Sequence, residues 1–166
     1  VLALPVAARA EPAEAPVKRI VDIAEGRWKN SEGEVPDYFD AIDRHFSKGF
    51  ADTYKEASKF PVYDDPDSGP FDYDVITSSQ DGCPLKDIKI AAEPPSGAVT
   101  VVDVSFRLWD CAEDAESKAR VSQVKFDVVT ENGKPLIADI HRMADGNWDS
   151  LVAEMNEAIK AGQSAQ

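Results

Sequence analysis

Apolar and polar side chains alternate most regularly between residues 99 and 143. Three segments, at 99–109, 119–129 and 134–143, place their apolar residues at even positions: Val102, Val104, Phe106, Leu108, Val124, Phe126, Val128, Leu136, Ala138 and Ile140. The odd positions are mostly polar. An alternation with a period of two residues predicts β-strands with one buried face. We therefore expect an antiparallel sheet whose even face meets the helices.

The turns predict the register of this sheet. The tripeptide Glu-Asn-Gly at 131–133 suits a three-residue hairpin loop, which would place Lys125 opposite Asp139. A two-residue turn would instead place Phe126 opposite Asp139 and mix the two faces, so the pattern favours the longer loop. In the preceding hairpin, Asp103 is expected opposite Lys125, which makes an ion pair across the strands.

Helical spacing of apolar residues is found on both sides of this region. It predicts helices at 17–28 and from residue 36 to about 46, and Ser47 can cap a third helix that runs to about residue 58. A fourth strand is expected at 85–92, and a C-terminal helix is expected to start at residue 147 or 148. The order predicts an α+β fold in which N-terminal helices pack on a curved four-stranded antiparallel sheet that the C-terminal helix closes.

Two cysteines flank the predicted hairpin of strands 85–92 and 99–109. Cys83 and Cys111 lie at equal distances along the chain from residue 97, in the turn, so they should face each other at the open end of the hairpin. In an oxidising compartment such a pair is expected to form a disulfide. Two cysteines without nearby histidines are too few ligands for a metal, so no metal site is predicted.

The first ten residues resemble the end of an export signal. Residues 1–10 are mostly apolar, and Ala8-Arg9-Ala10 fits a cleavage site with small residues at its two ends. We expect a periplasmic or secreted protein whose mature chain, residues 11–166, forms a single domain.

Overall charge limits the classes of partner. The chain of 166 residues has a formal net charge of −13 and a pI of about 4.5. Such a surface repels phosphate backbones and anionic lipids, so neither nucleic acid nor a membrane surface is expected as a partner.

Aspartates are frequent in a segment rich in proline, serine and glycine at 60–82. Those at 64–74 suggest calcium, because clustered carboxylates suit this ion. The spacing does not match a helix–loop–helix calcium site, and aspartates that stabilise turns are the better interpretation. Whether this loop binds calcium stays open.

Several short motifs, in order, resemble a known superfamily. They comprise Phe46-Ser47 with Phe50, then Phe71-Asp72-Tyr73-Asp74-Val75-Ile76 with Gln80-Asp81, then Gly133 with Ile137-Ala138-Asp139-Ile140, and Ser150-Leu151. Over residues 36–160 the chain resembles secreted bacterial domains of unknown function within the nuclear transport factor two-like superfamily, also called cystatin-like or ketosteroid-isomerase-like. Pro135 stands where this family usually has a tryptophan. The resemblance implies a cone-shaped fold with a pocket and no assigned reaction.

Asp139 and His141 are the candidate catalytic pair, with Asp103 on a neighbouring strand. Enzymes of the superfamily that the chain resembles use such Asp and His groups as acid and base. Here, however, both residues occupy odd positions and should face away from the helices. His141 is therefore expected to titrate like a surface imidazole, with a pKa of about 6.5. His45 lies beside aromatic residues in a predicted helix and is interpreted as a packed or surface residue.

Two functional hypotheses agree with these patterns. The first is a non-enzymatic binding or interaction module, of inhibitor or immunity type, that takes a small apolar ligand or a protein, including its own copy as a homodimer through the sheet face. Its candidate surface comprises Trp109, Val101, Ile137, Met143, Gln80 and Asp81. The second is a small hydro-lyase or isomerase that uses Asp139 and His141. Neither hypothesis requires a cofactor.

Overall fold

A computed structural model describes residues 9–29 and 35–166. Within these ranges the chain forms an α+β fold. The helices are α1 Glu14–Trp28, α2 Ile42–His45, α3 Lys48–Ala57, α4 Ala115–Ala119 and α5 Leu151–Ser164. The strands are β1 Lys86–Ala92, β2 Thr100–Arg107, β3 Ser122–Glu131, β4 Lys134–Ala144 and β5 Asn147–Trp148.

The strands form one open antiparallel sheet in the order β1-β2-β3-β4-β5. The prediction of four strands misses β5, a two-residue strand that comes after the turn that ends β4. Because β1 and β5 remain at the edges, the sheet is not closed, and the predicted cone shape is not confirmed. Asp103 lies opposite Lys125, as predicted.

The predicted register of the β3–β4 hairpin is wrong. Asn132 and Gly133 both have positive φ angles, 50° and 75°, and form a two-residue turn that pairs Glu131 with Lys134. A β-bulge then inserts Ala138 as an extra residue. As a result Asp139 lies opposite Asp127, and not opposite Phe126 as the short turn alone would require. The bulge restores the separation of faces that the short turn alone would have destroyed.

The core lies between the even face of the sheet and the helices. Its largest fully buried side chains include Phe46, Phe50, Phe106, Phe126, Ile20, Ile76, Leu108, Ile137, Ile140, Leu151 and Met155. The buried even positions of β2 and β3 confirm the predicted parity on these strands. On β4 the parity changes at the bulge, because Ile137 is buried and Ala138 is only half-buried.

Two serines fix the starts of α3 and α5. The Ser47 hydroxyl accepts a hydrogen bond from the Phe50 amide at 3.2 Å and caps α3, as predicted. Ser150 caps α5 by accepting from the Ala153 amide at 3.0 Å. The predicted start of this helix at residue 147 or 148 is therefore wrong, and Trp148 belongs to β5 with 38% of its surface exposed.

The predicted disulfide between Cys83 and Cys111 is present. It closes the open end of the β1–β2 hairpin, where the Cys83 amide also donates to the Leu108 carbonyl at 2.9 Å. The position of the disulfide agrees with the register of the hairpin. Ile90 lies opposite Val104, and this pair, like Cys83 and Cys111, is centred on residue 97.

Most of the predicted export signal, residues 1–8, lies outside the described residues. Among the helices of the described part, none is both long enough and apolar enough to span a membrane.

Candidate functional site

The candidate pair Asp139 and His141 lies on the outer face of β4, as the parity of the sequence predicted. The structure adds a third residue, Asp127 of β3. His141 Nε2 lies 2.8 Å from Asp127 Oδ2 and 3.8 Å from Asp139 Oδ2. We call Asp127, Asp139 and His141 the outer-face cluster. Its side chains are 30%, 16% and 24% exposed, so they are partly shielded but open to solvent.

Groups from the start of α5 hold the outer-face cluster in place. Asp139 accepts hydrogen bonds from the Ser150 hydroxyl at 2.5 Å and from the Val152 amide at 3.0 Å. His141 Nδ1 lies 2.6 Å from the Asp149 carbonyl oxygen. Because a carbonyl can only accept, Nδ1 carries a hydrogen and donates it, which directs Nε2 toward the two carboxylates.

Electrostatics in the outer-face cluster favour a positive charge on His141. The hydrogen bond to Asp127 is the main cause that raises the pKa of His141 to about 9, although partial burial opposes it. The sequence-based expectation of an ordinary surface pKa is therefore wrong. The error arose because the predicted register placed Lys125 opposite Asp139, whereas Asp127 occupies that position and Lys125 lies opposite His141.

Asp103 is not part of this cluster. It lies on β2 in the row Asp103–Lys125–His141, so Lys125 separates it from the imidazole by two strand spacings of roughly 5 Å each. The Lys125 ammonium lies 3.5 Å from the Asp103 carboxylate and 3.3 Å from that of Glu93. Sequence analysis missed Asp127, although its odd position on a predicted strand was the available signal.

The predicted contact surface is dispersed by the fold. Met143 is exposed, Val101 is half-buried, and Trp109 packs partly against the core. Ile137 is fully buried at 0% exposure, so its assignment to an outer surface is wrong. Gln80 and Asp81 are on the remote loop before β1, where Gln80 donates to the Asp72 carbonyl at 2.9 Å.

Asp74, within the aspartate-rich loop, fixes the loop to the end of α1 and to the turn before α2. Its carboxylate accepts from Tyr38 at 2.6 Å and from Trp28 at 3.2 Å, and also from the Ile76 and Thr77 amides. In the described residues, the loop at 64–74 does not bring three carboxylates close enough together to share an ion. The interpretation as an aspartate that stabilises a turn is supported at Asp74, which accepts hydrogen bonds from the amides of the two residues that follow Val75.

A groove lies between α1 and β1, on the helix side of the sheet edge. Its volume is about 920 Å³. The apolar part of its lining comes from Val21 on α1, Leu85 before β1, and Ile88 and Ile90 on β1. Its rim is charged and comprises Glu14, Lys18, Asp22, Glu25, Lys29, Lys86 and Asp87.

Strand β1 presents free backbone hydrogen-bonding groups beside this groove. The Glu93 amide donates to the Val101 carbonyl at 2.8 Å, so odd-numbered residues along β1 direct their backbone N–H and C=O groups toward β2. Ile90 and Ala92 have the opposite parity, so their N–H and C=O groups point away from β2, toward the open edge. The edge is bounded in sequence by Pro84 and by Pro94-Pro95.

Comparison with known proteins found no matching family model, no matching curated protein and no matching solved structure.

Proposed function

We propose that this protein is a non-enzymatic interaction module that binds an extended segment of another protein along the edge strand β1. The observation that carries the proposal is the groove between α1 and β1. There, the outward backbone groups of Ile90 lie beside a partly apolar floor, and those of Ala92 continue the same open edge. An extended peptide satisfies such groups by adding a strand to the sheet.

The shape of the groove favours a peptide over a compact ligand. Leu85, just before β1, is followed by Ile88 and Ile90 on the strand, so the floor is elongated in the strand direction. A bound strand would place alternate side chains on this floor and the others toward solvent. This arrangement selects peptides in which apolar residues alternate with polar ones.

Charges on the rim do not favour a strongly charged partner. Lys18 lies 3.7 Å from Asp22 on α1, and Lys29, just after the end of α1, lies 2.9 Å from Glu25. These pairs largely neutralise one another in solvent. Recognition at the groove therefore depends on backbone hydrogen bonds and apolar contacts, which suits an inhibitor or immunity type of role against a protein target.

The geometry favours binding over acid–base catalysis. Both nitrogens of His141 are engaged, by the Asp149 carbonyl and by Asp127, and the ring lies on the outer face. The groove is at the edge of the opposite, helix-facing side. A general base needs a free lone pair beside a substrate in a site that excludes water.

We also propose that the chain belongs to the superfamily that its motifs resemble and that it is exported. The order of helices, antiparallel hairpins and closing helix supports membership of the nuclear transport factor two-like superfamily. The Cys83–Cys111 disulfide supports an oxidising compartment such as the periplasm or the cell exterior.

A phage-displayed library of random linear peptides provides the test. We expect selection on the purified protein to enrich peptides with alternating apolar residues. When such a peptide is titrated into ¹⁵N-labelled protein, the amide signals of Ile90 and Ala92 should shift. Replacing Ile90 with lysine places a charge on the floor and should weaken binding by about tenfold or more.

Two further variants test whether binding depends on the groove itself rather than on unfolding of the sheet or on an added surface charge. Ala92→Pro removes one outward N–H at an edge position that tolerates proline, so it should weaken binding without unfolding the sheet. Val121→Lys replaces an apolar residue that is 54% exposed outside the groove and should leave binding unchanged. If the enriched peptides bind Ile90→Lys as well as wild type, or if no peptide is enriched, the proposal is wrong.

A further inference from the structure

We propose that the outer-face cluster of Asp127, Asp139 and His141 binds a divalent transition-metal cation of the zinc type. This site is separate from the β1 groove and does not depend on the proposed peptide binding. Three ligand atoms, two carboxylate oxygens and one imidazole nitrogen, all lie within 4.8 Å of one another.

The distances suit a small cation. Tetrahedral zinc with bonds of about 2.0–2.1 Å places neighbouring ligand atoms roughly 3.3 Å apart. His141 Nε2 lies 2.8 Å from Asp127 Oδ2 and 3.8 Å from Asp139 Oδ2, one on each side of this value. Adjustments of about half an ångström would bring both distances from His141 to this value, and the two carboxylate oxygens lie within 4.8 Å of each other. The partly exposed side of the cluster leaves room for water as the remaining ligand.

Groups outside the cluster orient the ligands as they do in metal centres. The Asp149 carbonyl accepts a hydrogen bond from Nδ1–H of His141, with an N···O distance of 2.6 Å, and this leaves Nε2 facing the carboxylates. Ser150 and the Val152 amide hold Asp139. Outer hydrogen bonds of this kind fix the tautomer of a metal-binding histidine and the orientation of its carboxylate partners.

The arrangement of charges also favours a bound cation. Asp127 and Asp139 are directly opposite each other on neighbouring strands, where two like charges are destabilising. Either a proton on Nε2 or a metal ion on the same nitrogen relieves this repulsion. On metal binding the Nε2 proton passes to solvent, and the freed lone pair coordinates the ion. The mixed nitrogen and oxygen ligands favour zinc-type cations over calcium or magnesium, which prefer oxygen alone.

Calorimetry with ZnCl₂ tests the site on the untagged, disulfide-bonded protein after treatment with a chelator and dialysis. We expect one Zn²⁺ per chain. Asp127→Asn and His141→Gln should each weaken binding by about 100-fold, and Ser150→Ala by about tenfold, because Ser150 only positions Asp139. Circular dichroism checks that each variant is folded.

Matched controls are available on the same chain. Asp103→Asn removes a carboxylate from the same face, beside Lys125, and His45→Gln removes the other histidine; both should leave Zn²⁺ affinity unchanged. In ¹H–¹⁵N spectra of the imidazole rings, Zn²⁺ should shift Nε2 of His141 and not the nitrogens of His45. The proposal is overturned if Zn²⁺ does not bind, if the variants bind it as wild type does, or if the His141 ring does not respond.

Discussion

Val128 on β3 lies opposite Ile137 on β4, and this pairing brings Ile137 into the core. The next residue, Ala138, is the extra residue of a β-bulge, after which Asp139 and His141 face outward. One inserted residue therefore decides both which side chain fills the core and which side chains form the outer-face cluster.

Replacing Ile137 with alanine should destabilise the protein by about 2–5 kcal/mol, because it leaves a cavity in a fully buried position. Urea unfolding measures this change, with the m-value expected to stay constant. The matched control is Met143→Ala on the same strand, where 40% of the side chain is exposed and the change should be within about 0.5 kcal/mol. Equal effects at the two positions would contradict the observed bulge.

Replacing both Cys83 and Cys111 with serine should lower the free energy of unfolding by about 3 kcal/mol, because the disulfide closes a loop with a sequence separation of 28 residues. Urea unfolding of the double variant measures the loss. Thiol titration of the denatured, unreduced wild type should detect no free thiol, and two free thiols would refute the pairing.

The pKa values of the two histidines should be shifted in opposite directions from that of a free imidazole. The hydrogen bond to Asp127 raises the pKa of His141 to about 9, whereas burial and then the nearby Arg19 and Arg44 lower the pKa of His45. NMR titration of the ring signals in metal-free protein should show His141 charged at neutral pH and His45 neutral. Asp127→Asn should bring the pKa of His141 back toward about 6.5 and leave His45 unchanged.

These shifts predict how stability depends on pH. The pKa of His141 is higher in the folded state, so its contribution is fully present below about pH 6.5 and is lost as the pH rises through about 9. Urea unfolding between these pH values should therefore show a decline in wild type that is smaller in Asp127→Asn. A decline of equal size in both proteins would show that the interaction does not stabilise the fold.

Removing the Arg142 side chain should be among the most damaging single changes. The guanidinium is 3% exposed and lies 2.8 Å from Asp149 and 3.0 Å from Glu154, while it also donates to the Val75 carbonyl at 3.0 Å. Arg142→Ala should destabilise by about 2–4 kcal/mol, because it removes a buried side chain and leaves the buried Val75 carbonyl without its donor. The control Arg120→Ala changes an exposed arginine and should have little effect in the same unfolding assay.

Local sequence was enough for most of the elements and for the disulfide. Alternation with a period of two determined the inward face of β2 and β3, Ser47 marked the start of α3, and the position of the turn near residue 97 placed Cys83 opposite Cys111. Each of these features depends on neighbours in the chain or on one hairpin, so a local pattern contains the necessary information.

Only the tertiary structure decided the register of the β3–β4 hairpin. A two-residue turn at Asn132-Gly133 and a longer loop are both compatible with the local sequence, and the choice depends on whether a bulge at Ala138 lets Ile137 reach the core. The proximity of Asp127 to His141 is a consequence of that choice. The groove likewise arises because α1 packs beside an edge strand more than fifty residues away, a contact set by burial of the whole core rather than by any local motif.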